Sequence, residues 1–235
     1  MRSLTLRPRV AMAVYAHPDD ADVAAGGVMA LWSAQGCEVH LVVVCDGSKG
    51  AHGSKATPES TREVRRDELE LAADLLGVRQ VHRLEVPDGD VSNSAELRAR
   101  LVGLIRGSRP EVILAPDPTA TFFGEVYVNH RDHRETGWAL LDAAAPAAAM
   151  PLYFPEQGPA HQVSRLLLSG THEPDVAIDV SATIDVKVKA VLAHHSQTGD
   201  DAEGVSDVVR GRASQAGRPL GLAFAEAFRS VELAG

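Results

Sequence analysis

Apolar residues along the chain follow two alternating rhythms. Compact, β-branched runs at residues 10–16 (VAMAVYA), 39–45 (VHLVVVC), 81–84 and 111–115 (EVILA, closed by Pro116) read as buried strands. Between them, apolar positions spaced by three and four predict helices over 26–35, stopped at Gly36, and over 95–106. A third covers 61–76, with start signals at Pro58, Glu59 and Ser60 and a stop at Gly77. Repeated β-α-β implies a mostly parallel sheet with helices on both faces. The second half is less regular: a helix over 136–149 ended by Pro151, strands over 165–169 and 176–179, and a helix over 181–195 with Ser181 as N-cap. There is no internal repeat and no linker. The expected fold is α/β, a single Rossmann-like domain spanning residues 1–235.

Sheets of this kind bind ligands beyond the carboxyl ends of their strands. The polar clusters fall there, at 17–22, 46–52 and 117–133. Loops 48–60 and 115–130 are long enough to wall such a site. Composition narrows the partners. The net charge is −9 and Lys and Arg form no run, so nucleic acid is not expected. Residues 1–9 lack the apolar stretch of a signal peptide, and the Ala-rich segment 143–149 is interrupted by Pro146. A cytoplasmic protein without a membrane partner is expected. Cys37 and Cys45 make no disulfide framework, and Cys45 is expected to be buried at a strand end.

The first cluster, AHPDD, follows a strand directly. His17 and Asp20 sit on one tight turn restricted by Pro18, so imidazole and carboxylate can converge on a borderline cation such as zinc, with Asp19 free beside them to take a proton. The second cluster, His130-Arg131-Asp132-His133, offers a third ligand. Three protein ligands with open positions make a catalytic rather than a structural site. Singly, each piece has an ordinary alternative: a capping Asp beside an exposed His, Asp19 as an N-cap, a solvated helix start. Jointly, at one edge of one sheet, they point to metal chemistry.

AHPDD with the Gly26-Gly27 pair, CDGSKG, VRRDELELAADLLGV, VPDG, IRGSRPEVILAPDP, HRDHRETG, KAVLAHHSQ and AEAFR resemble, in order along most of the chain, the LmbE/PIG-L de-N-acetylase family. The APDP, HRDHRETG and RRDEL segments are most similar to its diacetylchitobiose deacetylase branch. The resemblance implies a metal-dependent amidohydrolase holding one Zn2+ per chain, or another divalent metal, on His17, Asp20 and His133. Asp19 would be the general base. His130 would polarise the amide or steady the oxyanion, with Asp132 holding its imidazole. Arg65, Asp88 and Tyr127 would contact the substrate, a small N-acetylated amino sugar that yields acetate and a free amine. The ordinary alternative for Arg65 is an i,i+3 pair with Glu68 on a solvated face, and for Asp88 a Pro-Asp-Gly turn.

The sequence departs from the family pattern at Arg131, where Pro is usual, and at Asp22, where Glu is frequent. Mycothiol-pathway relatives carry a Tyr at the position of Val128, with Tyr127 here one residue away. That weighs against a mycothiol-type conjugate amidase, which stays open beside a secondary-metabolite deacetylase. His194 is expected to meet its helix dipole or to line the site. A nucleotide-binding protein is disfavoured, because no G-x-G-x-x-G follows the first strand and no Gly-Lys dipeptide marks a P-loop. An inactive relative is disfavoured because every ligand and the base are present. A homo-oligomer is left open.

Overall fold

The computed structural model describes residues 1–51 and 56–233; His52 of the 46–52 cluster and residues 53–55 of the 48–60 loop lie outside them. The chain runs β1 (Arg2–Ser3), β2 (Val10–Tyr15), α1 (Asp20–Ala34), β3 (Glu38–Cys45), α2 (Pro58–Leu76), β4 (Gln80–Val86), α3 (Ala95–Ser108), β5 (Val112–Pro116), β6 (Phe122–Phe123), β7 (Tyr127–Val128), α4 (Arg131–Asp142), β8 (Arg165–Ser169), β9 (Val176–Asp179), α5 (Ile184–Ala193), α6 (His195–Thr198), α7 (Ala202–Gly217) and β10 (Ala225–Glu232). An eight-stranded sheet has the order β1-β9-β10-β8-β5-β2-β3-β4, and β6 and β7 form a separate small hairpin.

Strands β2, β3, β4, β5 and β8 are parallel, while β10 runs antiparallel to both β8 and β9. From β2 the chain adds β3 and β4 on one side, then crosses to add β5 on the other. The crevice beyond the carboxyl end of β2 is therefore the topological switch point, where such sheets open a ligand site. The chain leaves that strand into His17.

Both faces of the sheet are covered. Trp32, Tyr15, Leu41, Leu69, Leu76 and Phe228 fill one core, under α1, α2 and α5. Met12, Val42, Leu101, Ile105, Ile113 and Leu140 fill the other, under α3 and α4. Burial on both faces is why β2 and β3 read as continuous apolar runs rather than alternating ones.

Helix α1 starts at Asp20, not at Gly26: its first turn carries Asp20 at the site and Asp22 buried away from it, and the Gly-Gly pair falls mid-helix. There the buried Glu226 of β10 accepts hydrogen bonds from Gly27 N (2.9 Å) and Val28 N (2.8 Å) and an ion pair from Lys187 of α5 (2.5 Å). A Cβ on Gly27 would stand 2.8 Å from Val180 Cβ, so only glycine allows this approach. Helix α2 is capped reciprocally by Thr57 and Ser60, with Gly77 left-handed at its end. Helix α4 begins at Arg131, five residues before the predicted 136, which puts His130 at its N-cap and Arg131, Asp132 and His133 in its first turn. Helix α5 begins at Ile184, because Ser181 Oγ donates to Asp179 Oδ1 instead of capping. Among the described residues no helix is long and apolar enough to cross a membrane.

Candidate metal centre and active site

Three acceptor atoms meet at the switch point. His17 Nδ1 lies 3.1 Å from His133 Nε2 and 3.3 Å from Asp20 Oδ2, and His133 Nε2 lies 3.1 Å from the same Asp20 oxygen. Bonds of about 2.0–2.1 Å to zinc give tetrahedral ligand–ligand edges of roughly 3.3–3.4 Å, so the triangle has the size of one face of such a shell. The tight turn after β2 supplies two corners, and Asp20 Oδ2 also accepts His17 N at 2.7 Å. The first turn of α4 supplies the third.

Each imidazole is held by its other nitrogen. His133 Nδ1 donates to Asn129 Oδ1 at 3.1 Å. His17 Nε2 faces Asp88 Oδ1 at 3.4 Å and Asp132 Oδ2 at 3.5 Å. That bonding leaves the lone pairs of His17 Nδ1 and His133 Nε2 directed into the triangle, the outer-sphere pattern of histidine metal ligands. Two lone pairs and a carboxylate oxygen turned on one another are the donor set of a cation. In the protein alone, burial opposes charge on His17, but the hydrogen bonds it donates to Asp132 and Asp20 outweigh it and push its pKa up, so a bound cation would displace the Nδ1 proton. Burial likewise opposes the ionised Asp20, and His133 and His17 outweigh it and hold its carboxyl low.

Asp132 is fully buried on the far side of His17. Its oxygens accept Gly89 N (2.6 Å) and Val91 N (3.2 Å). Burial would raise its pKa, but the bonds from His17 and Gly89 hold it at about 2. Its carboxylate stands 3.7 Å from His130 Nδ1, while its backbone N–H donates to that nitrogen at 3.3 Å. The carboxylate therefore orients His17 more directly than His130, and the Nε2–H of His130 is left facing the opening. Burial, followed by the charge on His17, lowers the His130 pKa.

Asp19 occupies the N-cap position of α1 without making a cap bond; its Oδ1 instead accepts Arg65 Nη2 at 2.6 Å. Two cavities meet at this edge, and Asp19, Asp20, His133 and Tyr127 border both. One, of ≈ 360 Å³, has the charged and polar side chains of Lys49, Arg65, Asp88, His130 and Gln197 on its walls. The other, of ≈ 310 Å³, is largely apolar.

Residues 12–144 match the family model described as PIG-L: GlcNAc-PI de-N-acetylase. The chain is 30% identical over 220 residues to a diacetylchitobiose deacetylase of Thermococcus kodakarensis, across 92% of this chain and 80% of that one. The chain belongs to the PIG-L family. Its fold superposes with a TM-score of 0.88 on the N,N'-diacetylchitobiose deacetylase of Pyrococcus horikoshii solved with an inhibitor (29% identity, covering 96% and 84% of the two chains). A conserved protein of Thermus thermophilus gives 0.80 (28% identity, 96% of each chain).

Arg65 differs most from its sequence reading. In this PIG-L family chain it is 3% exposed and does not pair with Glu68 on a solvated face. It donates to Asp19 and, through Nη1, to Gly47 O at 3.1 Å, while Glu68 accepts from Ser196 N and Oγ, both at 2.7 Å. A Cβ at Gly50 would stand 2.1 Å from Arg65 Nη1, so the DGSKG turn is open there to let the guanidinium through. Asp88 is buried; it faces His17 and accepts Lys49 N at 3.1 Å, which is more than a turn requires. Tyr127 is half-exposed on the β6–β7 hairpin, over the seam between the cavities.

His194 neither lines a cavity nor merely meets its helix dipole. It is 1% exposed, with Nε2 2.7 Å from Oδ2 of the fully buried Asp22. Burial works against a charged His194, and the bond to Asp22 outweighs it and raises its pKa. The pair, separated by 172 residues, ties the end of α5 to the first turn of α1. Sequence reading set Asp22 aside and missed Asn129, Lys49 and Gln197; the quoted KAVLAHHSQ and CDGSKG segments were the available signal. Removing one member of a buried pair strands the other. His194→Ala is therefore expected to cost about 3 kcal/mol of stability, read as a lower denaturant midpoint at unchanged slope. A loss under about 1 kcal/mol would mean that water replaces the imidazole without penalty.

Proposed function

We propose that this chain is a metal-dependent hydrolase that removes the N-acetyl group from an N-acetylglucosamine-type sugar or glycoside, releasing acetate and a free amine. The observation that carries the reading is the convergence of His17 Nδ1, Asp20 Oδ2 and His133 Nε2 with the Asp19 carboxylate beside them, in a chain of the PIG-L family. These three residues would hold one zinc ion. When bound there, it supplies Lewis acidity toward the amide carbonyl and lowers the pKa of water toward ~7.

The protein's own groups do the rest. Arg65 fixes Asp19 Oδ1, so that Oδ2 takes the proton of the attacking water. His130, kept neutral and with Nδ1 accepting the Asp132 N–H, donates from Nε2 to the oxygen on which negative charge develops. Asp132 and Asp88 hold the His17 ring in the tautomer that leaves Nδ1 free. The polar cavity takes the sugar, with Asp88, Lys49 and Gln197 among the groups available to its hydroxyls and Tyr127 at its rim. The proton collected at Asp19 leaves with the departing amine.

Purified protein is expected to carry close to one equivalent of zinc and to release acetate and amine from N-acetylglucosamine or diacetylchitobiose. His133→Ala is expected to lose most of the metal by elemental analysis while staying folded, because its ring is a quarter exposed at the site's edge. Full occupancy in that variant would remove His133 from the ligand set. Zinc-loaded protein that leaves both sugars intact would refute the activity.

A further inference from the structure

We infer that the apolar cavity is an acyl-chain subsite, and that this chain hydrolyses N-acylated amino sugars carrying straight acyl chains of about four to six carbons more readily than the N-acetyl compounds. The inference rests on the deacylase reading above and names the substrate class within it.

The ligand triangle sits on the seam between two cavities of unlike chemistry. Lys49, Arg65, Asp88, His130 and Gln197 stand on one side only, while Asp19, Asp20, His133 and Tyr127 border both and Asn129 lines the other. On the other, Val23, Ala24, Pro116, Phe123 and Tyr127 wall a space of ≈ 310 Å³. An amide whose carbonyl lies at the seam has two ends to place, and the polar cavity matches the sugar, so the acyl end enters the apolar one. An acetyl group brings only a methyl there. A methyl is about the size of one water molecule, whose share of liquid volume is roughly 30 Å³. The cavity is an order of magnitude larger.

The walls are also held in place. Phe123 packs its ring 5.9 Å from that of Tyr127 and 4.8 Å from that of His172, which fixes the β6–β7 hairpin over the cavity. Val23 stays 39% exposed and Tyr127 49% exposed. Apolar surface left open beside a metal-ligand cluster is the kind of surface an apolar ligand covers. At the floor, the Tyr15 hydroxyl and Ser169 Oγ bond each other at 2.9 Å, and Ser169 donates to Ala115 O. These hydroxyls are satisfied internally and make no demand on an alkyl chain. The reaction is the same for any acyl group: the C–N bond breaks, water oxygen forms the new C–O bond, both water protons end on the nitrogen as the ammonium, and the carboxylate leaves on the apolar side.

The test is an N-acyl series on glucosamine: acetyl, propanoyl, butanoyl and hexanoyl, with amine release measured on the purified protein. Each buried methylene is expected to raise kcat/KM about fourfold, so the butanoyl compound should exceed the acetyl one by about 15-fold. Phe123→Ser, at the rim of the cavity, should flatten the series. Equilibrium binding gives a readout apart from turnover: Asp19→Asn protein should bind N-hexanoylglucosamine at least tenfold more tightly than N-acetylglucosamine by calorimetry. Activity that falls with chain length while N-acetylglucosamine is hydrolysed overturns this inference alone. So does a chain-length gain that survives Phe123→Ser, or chain-independent binding. A protein that hydrolyses none of the series overturns the deacylase reading and this inference with it.

Discussion

Asp19→Asn is expected to lower kcat by about 10²–10⁴, the usual worth of a positioned general base, while leaving the fold and the metal content in place. The carboxylate has no other visible task. It stands at the N-cap of α1 but caps nothing, and its single strong partner is Arg65, at 2.6 Å on Oδ1. Arg65 is itself buried and fixed on Gly47 O, so it is not free to follow a wandering carboxylate. The pair therefore aims Asp19 at the edge shared by the two cavities, next to the ligand triangle. Asparagine keeps the shape, and its amide oxygen still accepts from Arg65, so neither Asp20 nor His133 has reason to move. What it loses is the capacity to accept a proton. The loss should fall on kcat with KM little changed, because the proton moves only in the transition state. Metal analysis on the same sample separates this from ligand loss. Turnover within a factor of three of the wild type would move the general base elsewhere, with His130 the next group in reach.

Much of this architecture was legible in the sequence, for a physical reason. Strands β2, β3 and β5 are buried on both faces and so appear as unbroken apolar runs, and the first ligand cluster stands out because it follows β2 at once, while the second is reached from β5 through the β6–β7 hairpin. Other parts carried no such mark. Strand β10 was not predicted: it interleaves Glu226, Arg229 and Ser230 with apolar residues, and Glu226 is inside because two helix N–H groups and Lys187 meet it there. Helix α7 packs mainly through Val209 and Ala213 and reads as polar. The β6–β7 hairpin has strands of two residues each, too short for any periodicity. Within the site, His17, Asp20 and His133 were readable as a motif, but the bonding of Arg65 to Asp19 was not. Its alternative partner Glu68 sits three residues along the helix, and only the tertiary fold brings Ser196 to occupy that carboxylate. Pairs such as Asp22 with His194 depend on which ends of α1 and α5 meet, and no local pattern records that.

Arg106 shows the same limit and supports the largest stability prediction. It lies in the IRGSRP segment, near the end of α3, where a basic residue reads simply as complementing the helix dipole. In the fold it is 3% exposed and has no carboxylate partner among the described residues. Its guanidinium donates instead to six main-chain carbonyls of the segment that follows α4: Ala147, Ala148, Met150, Tyr153, Phe154 and Gly158, at 2.8–3.1 Å. Five N–H groups serve six acceptors, so one hydrogen is shared. This one side chain thus satisfies a stretch of chain that has no strand pairing of its own. Arg106→Met keeps the aliphatic stem but leaves those carbonyls without donors. Each buried acceptor left bare costs on the order of 1–3 kcal/mol, and the loop recovers part by opening to water. The expected net loss is about 4 kcal/mol, measured by denaturant unfolding, with faster amide exchange confined to residues 147–158. Arg106→Lys should recover less than half, because a single ammonium has three donors at one point and cannot span the same set of carbonyls. None of these residues borders either cavity at the ligand triangle, so kcat/KM measured well below the unfolding transition should stay within twofold of wild type. A stability loss under about 1 kcal/mol for the methionine variant would mean that the segment is held by its own packing rather than by the guanidinium.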